Sequence, residues 1–279
     1  MTLIGSRTRR RTFAMCLCFL LVAGVTLAQR RGRRGWDDRP GSFRGGVPEW
    51  KNDEAFRDDI FTFARVRYTS WGGNGWGRGG WRTDYPDSDL NFSFRLQQLT
   101  SLKVHPDGVI VDLDDPEILN YPFVYLLEPG NIELSPTEVA GMRNYLLNGG
   151  FMMVDDFWGE DEWYVFYQQL KLVFPDREPQ ELPLEHEIFH IVYDLKEKPI
   201  IPSVHHYLNG QLTERWDARE AHYRGVFDDN DRLMMIICHN TDLGDGWEQE
   251  GMNQGYFENY SEKFAYPLGI NIVTYAMTH

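Results

Sequence analysis

Gly149-Gly150-Phe151-Met152-Met153-Val154-Asp155-Asp156-Phe157-Trp158 is the stretch that decides how this chain folds. Four apolar residues lie between a glycine pair and two adjacent carboxylates, a pattern expected of a short buried strand. It delivers Asp155 and Asp156 to the carboxyl edge of an α/β sheet, where open sheets of this kind bind ligands.

The elements around it support that reading. Upstream, Ser135-Pro136-Thr137-Glu138 is a capping box with proline in the first helical turn. Val139, Met142, Tyr145 and Leu146 then recur at helical spacing, and Gly149 supplies the stop. Pro122 to Leu127 precedes this helix as a strand, so the three pieces form a strand–helix–strand unit. Further strands are expected at Phe61–Tyr68, Val109–Leu113 and Arg232–Cys238. Helices are expected from a cap at Asp87 or Ser88 to about Leu102, from Trp163 to Leu172, and from Tyr256 to Met277. Pro267 should kink or break the last one. Residues 175–225 are rich in proline and charge and show no clear period. Strands alternating with helices argue for a parallel α/β sheet, and about 230 folded residues suffice for one domain.

Charge divides the chain. Residues 1–44 hold ten arginines against Asp37 and Asp38, which leaves 18 of the 28 basic and 40 of the 42 acidic residues for the remainder, a net of −22. An acidic domain of this kind lacks the basic face that phosphate contacts need, so nucleic acid is not an expected partner. Arg7, Arg9, Arg10 and Arg11 precede the apolar run Phe13–Val25, and Thr26-Leu27-Ala28 offers a small-residue cleavage site, so residues 1–28 read as a signal peptide. Arg10-Arg11-Thr12-Phe13 also fits a twin-arginine core, leaving the secretory and twin-arginine routes both open. Either route exports the protein to the periplasm or cell envelope. Residues 29–55 read as a disordered basic leader, and membrane contact is expected only through it or the signal. Cys16 and Cys18 fall in the signal, so the mature chain keeps Cys238 alone and forms no internal disulfide.

Phe61 onward, Thr83-Asp84-Tyr85-Pro86, Gly149-Gly150-Phe151 to Asp156, His186 to His190, His239-Asn240-Thr241-Asp242 and Tyr266-Pro267-Leu268-Gly269 occur in an order that resembles a bacterial family of unknown activity, domain of unknown function 4159. More distantly, Leu134–Asp156 and the His186 region look like the ThuA-like proteins of the class I glutamine amidotransferase-like superfamily. That likeness implies a flavodoxin-like three-layer sandwich over residues 56–279. It also implies that Asp155 stands near the elbow where active members carry a nucleophile. This chain has no cysteine there, which argues against amidotransferase chemistry.

Several groups are candidates for chemistry. Asp155 and Asp156 can hold a divalent cation through oxygen or divide acid and base roles. The pleat turns them to opposite faces, however, and either can simply cap the next helix. His239, ending a buried strand, is a candidate general base oriented by Asp242; the alternative is a histidine bonded to backbone in a turn. His186-Glu187-Ile188-Phe189-His190 matches the zincin pattern, with both histidines as zinc ligands and Glu187 as base. Pro183 and the β-branched residues nearby favour a turn with packed histidines, and no zinc or other cofactor is expected. Asp242, Asp245, Glu248 and Glu250 read as a solvated acidic loop. Gly75 to Gly80 meets the bare dinucleotide pattern, but its helix starts too late to aim at a pyrophosphate. Trp71, Trp76, Trp81 and Trp158 are candidate faces for a sugar ring or anchors for an envelope protein.

Three functional readings follow from these features. One is a non-catalytic ligand-binding or assembly module of the cell envelope. Another is a ThuA-like hydrolase acting on carbohydrate through Asp155 and His239. The last is a zinc hydrolase through His186, Glu187 and His190.

Overall fold

In the computed structural model, residues 46–56, 59–71 and 80–279 are described. The signal segment, the leader up to residue 45, Trp76 and Gly75–Gly79 lie outside the described residues. Seven strands form one sheet: β1 Ala64–Arg67, β2 Val109–Asp112, β3 Phe123–Leu127, β4 Phe151–Asp155, β5 Gln180–Glu181, β6 His222–Phe227 and β7 Leu233–His239. Their order is β2-β1-β3-β4-β7-β6-β5. The first five in that order are parallel, and β6 and β5 extend the sheet in antiparallel fashion. This is flavodoxin-like topology, with the chain reversing direction across the sheet at β1 and β3.

The central strands are buried on both faces, which is why they read as continuous apolar runs. Pleat parity sorts their side chains into two cores. Phe63, Phe123, Tyr125, Phe151, Met153, Ile236 and Cys238 face one side. Ala64, Val66, Val124, Leu126, Met152, Val154 and Ile237 face the other. Helices α1 Asp87–Leu99, α5 Leu243–Glu248 and α6 Tyr266–Thr278 cover the first face, contributing Phe92, Trp247 and Ile270. Helices α2 Pro136–Leu147 and α3 Gly159–Val173 cover the second through Met142, Tyr145, Phe166 and Leu170. A short α4, Val204–Leu208, lies in the stretch that showed no period. No helix among the described residues is long and apolar enough to cross a membrane.

The capping box forms as expected, Ser135 accepting from the Glu138 N–H while the Glu138 carboxylate accepts from the Ser135 N–H. Four expectations need correction. Neither Asp87 nor Ser88 caps α1, because the Ser88 hydroxyl is taken by Arg65 and Asp87 is already helical. The helix expected from Trp163 begins at Gly159, where positive φ lets the chain turn out of the sheet. Pro267 does not break the C-terminal helix: a π-helical stretch, Phe257–Ala265, runs directly into α6, and proline sits in its first turn, where a missing N–H costs least. Within the stretch read as leader, the Trp50 indole and the Asn52 amide both donate to Val104 O, at 2.8 and 2.9 Å, so the chain is tied to the domain before residue 56.

Candidate functional site: a carboxylate cleft at the sheet edge

At the carboxyl ends of β3, β4 and β7 lies a cluster of mostly buried acids. Asp155 ends β4 and is fully buried. Its Oδ2 accepts from the Tyr125 hydroxyl at 2.8 Å and from the Leu243 and Gly244 N–H groups at 3.0 and 3.1 Å. It therefore pins the N-terminus of α5 to the sheet, where a negative group also meets the positive end of the helix. Oδ1 is buried with no hydrogen-bond partner. Burial pushes the carboxyl up to about 7 against these bonds.

Asp156, the next residue, takes φ +56. Its Oδ1 accepts the Trp158 indole N–H at 3.0 Å. Asp242 caps α5, accepting the Asp245 N–H at 2.7 Å. Asp84 comes from the loop before α1 and takes φ +60; its Oδ2 is sealed from solvent and has no partner. One oxygen each of Asp84, Asp156 and Asp242 lie within 4.8 Å of one another, and Asp84, Asp245 and Glu248 form a second such group. Glu128, at φ +45 after β3, accepts the Gly80 N–H. Left-handed backbone at non-glycine residues costs about 1–3 kcal/mol each and gathers where geometry serves a site. Here it marks Asp84, Glu128 and Asp156 together.

Loss of solvent holds the whole group high. Burial, then repulsion from Asp245 and Glu248, lifts Asp84 well above the carboxylate range. Burial followed by neighbouring acids does the same for Asp156 and Asp242, and burial brings Asp245 and Glu128 to about 7. Arg65 lies among them but gives little relief. Its guanidinium donates to Asp89, Ser88, Trp81 O and Thr83 O, so all five N–H groups are engaged and Asp89 balances its charge. Arg65 instead serves to hold the loop that carries Asp84.

The other candidates lie apart from this group. His239 has Ile237's parity on β7 and enters the opposite layer, against Phe157 and Trp163. Its Nδ1 faces the Arg224 guanidinium at 3.2 Å and its Nε2 faces Gly159 O at 3.0 Å. Burial, with Arg224 and His222 adding to it, lowers it to about 4, so it is neutral at pH 7. Cys238, not His239, shares the face of Asp155, and burial raises its thiol well above the usual range. His186 and His190 flank a single 3₁₀ turn, Glu187–Phe189, which does not stack them as a helix would. His186 Nδ1 accepts the Ile188 N–H, while both His190 ring nitrogens face oxygens, of Asp194 and Leu184. Trp158 is buried as the clamp on Asp156, and Trp81 is buried under Arg82. Trp71 is 79% exposed.

The acidic segment from Asp242 corrects the expectation of a solvated loop: it forms α5, with Asp242 and Asp245 buried. Asp84, Asp245, Glu248, Glu128 and Arg65 were not singled out as site residues from sequence. One signal for Arg65 was available, since parity sets it inward with Phe61 and Phe63, and a buried arginine needs a carboxylate.

The model of one family, described as domain of unknown function (DUF4159), matches residues 62–277. The chain belongs to that family. Among curated proteins none matches the chain. In this DUF4159 chain the matched span takes in every residue of the carboxylate cleft, from Asp84 to Glu248.

Proposed function

We propose that this chain is an exported, non-catalytic ligand-binding module on an amidotransferase-like fold, and that its carboxyl-edge cleft takes a cationic ligand. A hard divalent cation is the simplest one that fits. The observation that carries this reading is the shared Asp84: its carboxylate stands within 4.8 Å of Asp156 and Asp242 on one side and of Asp245 and Glu248 on the other. Carboxylates this close cannot all ionise in a water-poor site without a cation among them, and oxygen donors suit magnesium, calcium or manganese rather than zinc. The sealed, unpartnered Asp84 Oδ2 is a lone pair waiting for such a partner.

Binding is favoured over turnover because the hydrolytic pair would have to share a space. Asp155 is anchored to α5, while His239 is neutral, bonded at both nitrogens and in the other layer. Isothermal titration of chelator-treated mature protein with magnesium, calcium and manganese chlorides tests the proposal. One cation per chain is expected, with affinity at least tenfold weaker in Asp156→Asn and Asp242→Asn. Equal affinity in those variants, or no uptake by the parent protein, defeats the reading.

A further inference from the structure

A groove lies apart from the acidic cluster. Residues 69–71 run antiparallel to 131–133, with the Trp71 N–H donating to Asn131 O at 3.0 Å and the Glu133 N–H to Thr69 O at 2.9 Å. Across from this short ladder stands the outer face of α3, joined to it where Leu134 N–H meets Gln169 Oε1 at 3.0 Å. Between them is a groove of about 370 Å³. Its floor is Ile132 and Gly130, its walls are Trp71 and Tyr164, and Asn131, Glu133 and Gln168 stand at its rim.

Trp71 and Tyr164 are 79% and 63% exposed, so two large rings flank the groove with little packed over them among the described residues. Rings of this size normally bury their faces and keep only a polar tip wet. The rim offers amides, which both donate and accept, and a carboxylate, which accepts twice. Among the described residues, no lysine, arginine or histidine lines the groove, so these residues offer no charge-assisted donor of the kind phosphate or carboxylate ligands need. A ligand matching this surface has apolar C–H faces, many neutral hydroxyls and modest size, since the volume is near the lower end for ligand pockets, roughly 300–1,000 Å³. Those properties together describe a pyranose ring.

We infer that the groove between Trp71 and Tyr164 binds a short neutral oligosaccharide, its rings stacking on the two aromatics and its hydroxyls bonding to Asn131, Glu133 and Gln168. This site does not depend on the cation cleft, and none of its walls is a cleft carboxylate.

The test is calorimetric titration of the mature protein with maltotriose, cellotetraose and chitotriose, each with and without chelator. At least one sugar should bind with a dissociation constant below millimolar, whether or not chelator is present. Trp71→Ala and Tyr164→Ala should each weaken it at least tenfold. Both residues are exposed, so the fold should survive, and circular dichroism checks that it does. Trp216→Ala, removing an 86%-exposed tryptophan outside the groove, should leave affinity unchanged. The inference fails if no sugar binds at millimolar concentration. It also fails if Trp71→Ala binds as the parent does, or if a proline-rich decapeptide is taken up and the sugars refused.

Discussion

Asp155, the last residue of β4, accepts the Gly244 N–H at 3.1 Å, joining a strand end to a helix start 89 residues later in the chain. The same carboxylate is half of the pair whose sequence position first suggested a site. Its structural task and its charge are inseparable: the bonds that anchor α5 are also what keep its burial from raising the carboxyl still further.

Stability should fall as pH rises in metal-free protein. Asp155, Asp245 and Glu128 sit near 7 when folded, against about 4 unfolded. Between those values the native state holds protons that the unfolded chain has released, so the stabilisation present below about 4 is lost as pH passes 7. His239, lowered to about 4, and His186, lowered by burial, work in the opposite sense below 6.5, but as two groups against several. Denaturant unfolding at pH 5, 6, 7 and 8 in chelator should show a decreasing midpoint, and excess divalent cation at pH 8 should restore it. A midpoint that climbs steadily without cation contradicts this account.

Asp155→Asn and Asp155→Ala should part company. Asparagine keeps an acceptor for Leu243, Gly244 and Tyr125 while removing a buried charge, so at pH 8 it should change stability by less than about 1 kcal/mol or raise it. Alanine strands all three donors and should cost about 2–4 kcal/mol. Chemical denaturation of the two variants decides the point.

Arg65→Met should be among the most damaging single changes, at about 3–5 kcal/mol, because it leaves Asp89 buried without a counter-charge. Arg65→Met/Asp89→Leu should recover part of that loss. It should not recover cation binding, since Trp81 O and Thr83 O no longer hold the Asp84 loop.

Asp155→Asn and His239→Ala should act independently. The two side chains enter opposite layers, so a double-mutant cycle on unfolding free energy should give a coupling below about 0.5 kcal/mol. A coupling of 2 kcal/mol would return the hydrolytic pair to consideration.

Gly141→Ala tests the packing beneath the sheet. An added Cβ would stand 1.9 Å from Leu113 O, a backbone atom that cannot swing aside. A loss of about 3 kcal/mol or failure to fold is expected, read from soluble yield and thermal midpoint.

Much of the fold can be read from local pattern. Phe151 to Val154, the capping box at Ser135 and the strand at Val109 are governed by neighbours within a few residues, and their positions in the structure follow. The paired aspartates at the sheet edge belong to the same class, because a strand of known direction delivers its last residues to a known edge. Helix α5 escaped notice because its acids, exposed by the usual expectation, are held inside by contacts from distant segments: Ile201 O on the Asp242 N–H and the Val204 N–H on Asp245.

The amino-acid sequence alone determined that this is an α/β chain with a parallel core and carboxylates at its carboxyl edge, since period, caps and glycines act over a few residues. Only the tertiary structure decided which carboxylates meet. Register between β4 and β7 set Asp155 beside Cys238 and sent His239 to the other layer, and the Arg65 bonds carried Asp84 across to Asp156 and Asp242. Pleat parity within one strand is written in its residues. Parity between strands depends on how they pair, and when both faces are apolar nothing in either strand reveals it.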